Sequence, residues 1–79
     1  MENKLIHLFK KPRAKQRVEI LIDYEMDEDG WFLNVQYIEN KTNKLAHKHC
    51  IILKDLDTWI NSIKNEGWIE SELPKNTNI

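Results

Sequence analysis

Apolar and polar residues alternate through much of this chain, and the alternation predicts strands. From Arg17 onward, Val18, Ile20, Ile22 and Tyr24 fall on one side and Glu19, Leu21, Asp23 and Glu25 on the other. A period of two is that of a half-buried strand. Asp27-Glu28-Asp29-Gly30 interrupts it with turn formers, and Gly30 is suited to the positive φ of a hairpin loop. A second strand follows, in which Trp31, Leu33, Val35 and Tyr37 alternate with Phe32, Asn34, Gln36 and Ile38. The polar stretch 39–43 reads as the next turn, and Lys44 to Leu53 as a third strand. The buried face of that strand is ambiguous. Leu45, Ile51 and Leu53 share one side with His47 and His49, while Ala46, Cys50 and Ile52 share the other with Lys48. Leu5 to Phe9 is a possible fourth strand, or a loosely docked segment, with Pro12 breaking the chain before the meander.

The pattern then changes period. Leu56, Trp59, Ile60 and Ile63 stand at i, i+3, i+4 and i+7 and form one apolar stripe of a helix. Asp55 is placed as its N-cap, and Gly67 suits the left-handed position beyond its end, with Trp68 folding back on Ile63 as in a Schellman motif. The expectation is an α+β fold: an antiparallel β-meander of three to four strands followed by one C-terminal amphipathic helix. Residues 1–16 form a basic N-terminal arm with a possible strand at 5–9, residues 17–69 the β-β-β-α domain, and residues 70–79 a polar tail whose end, Lys75 to Ile79, is expected to fray.

Length narrows the rest. A chain of 79 residues holds a single core, and a domain this small buries only about 60% of the surface its unfolded chain exposes, so self-association is an expected source of extra stability. Cys50 is the single cysteine. It excludes an internal disulfide and, beside Ile51 and Ile52, reads as a small core hydrophobe. A reducing, cytoplasmic setting fits, with neither a secretory leader nor a membrane span expected. No nucleophile elbow, phosphate-binding glycine loop or HExxH is present, so the expectation is a non-enzymatic module without cofactors. His47 and His49 share one side of a strand as a metal pair would, but without an evident third ligand they read as solvated histidines.

Charge adds a functional direction. The net charge of −1 conceals a segregation, for residues 10–17 carry five cations and no acid, and residues 23–29 five acids and no base. The cationic run is a candidate arm for phosphates, because each Lys or Arg that neutralises one releases condensed counterions. Phe32, flanked on the open sheet face by Asn34 and Gln36 with Lys44 and Lys48 nearby, is a candidate base-stacking platform.

The succession of strand (RVEILIDYEM), turn, strand (WFLNVQYIEN), turn, strand (HKHCIIL) and helix (KDLDTWINSIK) resembles a PUR repeat, the unit of the purine-rich-element-binding proteins. The likeness covers roughly residues 16–65 and is carried most by HKHCIILKDLDTWINSI. It implies an intertwined homodimer whose curved sheets bind single-stranded DNA or RNA. Glu19, Asp23 and Glu25 stand where the family's outer face is basic and aromatic, so the expected site moves to Lys10, Lys11, Arg13, Lys15 and Arg17 of the arm with Phe32, Asn34, Lys44 and Lys48. The alternative is a protein-binding inhibitor or adaptor of the phage or mobile-element type, meeting a basic partner through Asp23, Glu25, Asp27, Glu28 and Asp29.

Overall fold

The computed structural model describes residues 3–27 and 30–73, with side chains at 4–22 and 31–73. Strands β1 (Asn3–Lys10), β2 (Gln16–Asp27), β3 (Gly30–Glu39) and β4 (Leu45–Ile52) are followed by a 3₁₀ turn (Leu53–Asp55), helix α1 (Leu56–Asn65) and a short strand β5 (Ile69–Ser71). All five strands join one antiparallel sheet in the order β4-β3-β2-β1-β5. Helix α1 therefore carries the chain from one edge of the sheet to the other across a single face.

That face is set by the alternation. Val18 and Ile20 of β2 and Leu33 and Val35 of β3 are fully buried with Phe9 of β1, and they close on Ile60 and Ile63 of α1. Leu56, Trp59, Tyr37, Ile51 and Trp68 pack around this core from partly buried positions. Side chains directly opposite one another across strands share a face. The pairs Leu33↔Ile51, Val35↔His49 and Tyr37↔His47 thus settle the ambiguity of β4, putting Ile51, His49 and His47 on the helix side. His49 meets Trp59 with ring centroids 6.0 Å apart, and Tyr37 stands 5.8 and 6.2 Å from His47 and His49.

Three features depart from the sequence expectation. The sheet has five strands, not three or four, because Asn3–Lys10 is a full strand between β2 and β5 and Ile69–Ser71 adds an edge. Residues 3–10 of the supposed arm are thereby structured, and Glu70 and Ser71 belong to the sheet where a polar tail was expected. Asp55 stands at the N-cap but makes no side-chain capping bond, since the 3₁₀ turn supplies a backbone bond from Leu56 to Leu53. Cys50 is exposed on the side away from the helix, its Sγ–H donating to Asn34 Oδ1 at 3.3 Å. The C-terminal end of α1 matches expectation closely. Gly67 has φ 103°, and the N–H groups of Gly67 and Trp68 reach the carbonyls of Lys64 and Ile63 at 3.1 and 3.2 Å, the paired bonds of a Schellman motif.

Candidate nucleic-acid interface

Two loops meet at one end of the sheet. Between β1 and β2, the Ala14 N–H reaches the Lys11 carbonyl at 3.1 Å, closing a tight turn with Pro12 and Arg13 at its centre. Pro12 presets the φ of the first central position, and Arg13 takes a left-handed φ of 69° at the second, a place that ordinarily favours glycine. Between β3 and β4, Glu39 and Lys44 close the strands (2.9 Å), the Asn43 N–H reaches the Glu39 carbonyl (2.8 Å), and Asn43 takes φ 59°, which asparagine tolerates well. Thr42 Oγ1 donates to Glu39 Oε1 at 3.3 Å and accepts from the Lys44 N–H at 3.3 Å.

The loops are locked to each other. The Asn40 N–H donates to the Lys15 carbonyl at 2.9 Å. Arg17 completes the lock, its guanidinium reaching Asn40 Oδ1 (3.4 Å), Asn43 Oδ1 (2.9 Å) and the Glu19 carboxylate (2.9 Å). A groove of about 410 Å³ lies at the junction, lined by Ala14, Lys15, Glu39, Asn40, Lys41 and Thr42. On the other side of the β1–β2 turn a shallower one of about 340 Å³ is lined by Lys10, Lys11, Pro12, Ile69, Glu70 and Ser71.

The structure thus gathers Lys10, Lys11, Arg13, Lys15 and Lys44 at one end, all exposed, and adds the exposed Lys41. Lys11 Nζ sits 5.7 Å from the centre of the Trp68 ring. Arg17 is at the same end but is consumed by its partners, so it holds the loops together and is not an available cation. Glu39 is the carboxylate within the loop pair. Glu70, on the helix side, is engaged by His7 Nδ1 at 2.7 Å and lies 3.8 Å from Lys64.

The remaining expected residues lie elsewhere. Phe32 and Ile52 pair near the opposite end of the sheet. Phe32 and Glu39 stand seven positions apart on β3, about 23 Å at the rise of a strand, so the structure does not bring Phe32 to the basic loops. Asn34 is buried and bonded to Cys50, leaving little of it for a ligand. Lys48 is exposed midway along β4, opposite Gln36. Asp23, Glu25 and Asp27 fall on β2 at the end remote from the basic loops, their side chains outside the described set, and Glu28 and Asp29 lie outside the described residues.

Lys41 is the residue that sequence reasoning missed. It sits in a stretch read only as a turn, and nothing local marks it. Its relevance comes from the β1–β2–β3–β4 order, which returns residues 40–44 beside residues 11–15. Tyr37 is a second consequence of that folding. Burial, aided by the nearby Glu66 carboxylate, pushes its phenol above the usual tyrosine range.

The fold and its polarised loops define a small α+β module with one strongly cationic end. No family model, curated protein or solved structure matches this chain.

Proposed function

We propose that this chain is a small binding module that holds single-stranded nucleic acid at the basic loop end of its sheet. The observation that supports the reading most is the lock between the two loops. Asn40 and Arg17 fix the β1–β2 turn against the β3–β4 loop, so that Arg13, Lys15, Lys41 and Lys44 present charge from a rigid frame at little ordering cost. An elongated polyanion suits such a cluster, because several phosphates can be neutralised at once. The resemblance of residues 16–65 to a PUR repeat points to the same class of ligand. A reducing, cytoplasmic setting accords with a lone exposed thiol.

The contacts in this reading are electrostatic, and their signature is salt dependence. Affinity for an oligothymidine should fall log-linearly with salt, with a slope of about −0.7 for each phosphate contacted. Replacing Lys15, Lys41 and Lys44 together by Ala should flatten the slope by about 2, three contacts' worth. Phe32→Ala, some 20 Å away along β3 by strand rise, should leave both affinity and slope unchanged. An unaltered slope in the triple variant, or no binding by the wild type at about 50 mM salt, would reject the proposal.

The protein-binding reading through the acidic run 23–29 stays as the alternative. It predicts capture of a basic protein that survives nuclease treatment and is lost when those acids are neutralised.

A further inference from the structure

Helix α1 covers one face of the sheet, and among the described residues no element crosses the other. Cross-strand pairing puts on that open face Ile52 beside Phe32, then the row Cys50, Asn34, Leu21, Leu5, then Lys48, Gln36, Glu19, Leu8, Ser71, and finally Leu45, Ile38 and Arg17. Leu8 and Ile38 are already 7% exposed or less, but Leu45 is 53% exposed, and Leu5, Leu21, Phe32 and Ile52 are half-buried. Some of its polar groups are satisfied within the face, while Lys48 stands exposed on it. Glu19 is held by Arg17 and Asn34 by Cys50, as polar groups are in surfaces that lose their water. Half-buried apolar positions at Leu5, Leu21, Phe32 and Ile52, with a neutralised Glu19–Arg17 pair among them, are more apolar than a water-facing sheet, which alternates to polar.

We propose that this open face is the contact between two copies of the chain, packed face to face about a two-fold axis that runs across the strands, so that the basic end of each copy lies over the acidic end of the other. Two observations select a second copy as the occupant. The first is charge. Any two-fold that reverses the strand direction sets Lys10, Lys11, Arg13, Lys15, Lys41 and Lys44 of one copy opposite the remote end of the partner's β2, which carries Asp23, Glu25 and Asp27. The chain is complementary to itself in this orientation and repels itself in the parallel one. The second is size. Five strands at about 4.8 Å spacing and about 20 Å of length give a footprint of roughly 500 Å² before side-chain relief is counted, on the scale of the ~800 Å² per partner of a standard interface. This arrangement differs from the intertwined pair that the PUR likeness implies, since α1 here closes on its own sheet through Ile60 and Ile63. It engages the same cations as the proposed nucleic-acid contact but a different surface, the open sheet face, so mass and Cys50 reactivity test it apart from oligothymidine binding.

Cys50 is the chain's single thiol and lies on this face, so the wild-type protein carries its own reporter. Sedimentation of the full chain at high micromolar concentration should give twice the monomer mass of 9.5 kDa. Alkylation of Cys50 by iodoacetamide should slow by about tenfold between dilute and concentrated protein, as expected of a group sequestered in the dimer. Phe32→Asp should return the mass to that of a monomer with the circular dichroism of the fold intact. Lys15→Glu with Lys44→Glu should weaken the dimer. A monomer at all concentrations overturns the proposal. So does a dimer whose Cys50 reacts at the dilute rate, the mark of pairing along the β4 edge or of exchanged helices. Strengthening by the charge reversals overturns the head-to-tail orientation.

Discussion

Two residues in left-handed backbone carry opposite lessons. Gly67 at φ 103° completes the Schellman end of α1, and a Cβ placed there would meet only Lys11 Cε at 3.4 Å, an ordinary contact. Gly67→Ala should therefore cost only the backbone strain, about 1–2 kcal/mol. Arg13 at φ 69° bears that strain already. Arg13→Gly should raise stability by roughly 0.5–1 kcal/mol while removing one candidate phosphate contact, so thermal melting and the salt slope should move in different directions. The sequence revealed the first position through its place after a helical stripe. It concealed the second, because nothing in KKPRAK distinguishes a flexible arm from a turn between two strands until the strands are paired. Tyr37 carries a pH consequence. Its folded-state pKa is raised by burial and then by Glu66, so the folded state holds the phenolic proton more tightly than the unfolded chain. The corresponding stability is complete below the unfolded value near 10 and is lost as pH rises through the folded one. Denaturation midpoints should fall above about pH 10, and Tyr37→Phe should remove that part of the fall.

Among the elements, α1 was legible because its four apolar positions repeat at the helical period, two of them, Ile60 and Ile63, entering the core and Leu56 and Trp59 packing against it. The β2–β3 hairpin was legible for the equivalent reason at period two. Strand β5 was not, since three residues are too few to show a period and Ile69 is 60% exposed. It forms because the Schellman turn reverses the chain beside β1, where Ile69, Glu70 and Ser71 pair with Lys10, Phe9 and Leu8. Strand β1 was half legible. A one-residue bulge between Leu5 and His7 shifts its register, so its alternation is broken where it would be read. The weight of α1 rests on its innermost residue. Ile63 is 4% exposed against the fully buried Leu33 and Val35, and Ile63→Ala should cost about 2–5 kcal/mol. Trp59, only partly buried at the edge beside His49, should cost less on truncation than Ile63. Equal melting shifts for the two variants would contradict this placement of the core.

At the scale of the molecule, a segregation visible in sequence becomes a segregation in space, and the topology sharpens it. Antiparallel order returns Lys41 and Lys44 beside Arg13 and Lys15, and leaves Asp23, Glu25 and Asp27 at the far end of β2. Four of the six cations were thus legible in the run 10–17, and Lys44 was a candidate as well. Lys41 and the meeting of the two loops depended on long-range pairing that composition does not encode, and Phe32, joined to the arm when read along the chain, is separated from it by the length of β3. No helix among the described residues is long and apolar enough to cross a membrane. The measurement that tests the account most directly is a titration of the ¹⁵N-labelled chain with a short oligothymidine, followed amide by amide. Binding at the basic loops predicts shifts concentrated at residues 10–15 and 40–44, with Phe32 and Ile52 unmoved. Shifts centred on Phe32, or none at all at low salt, would contradict it.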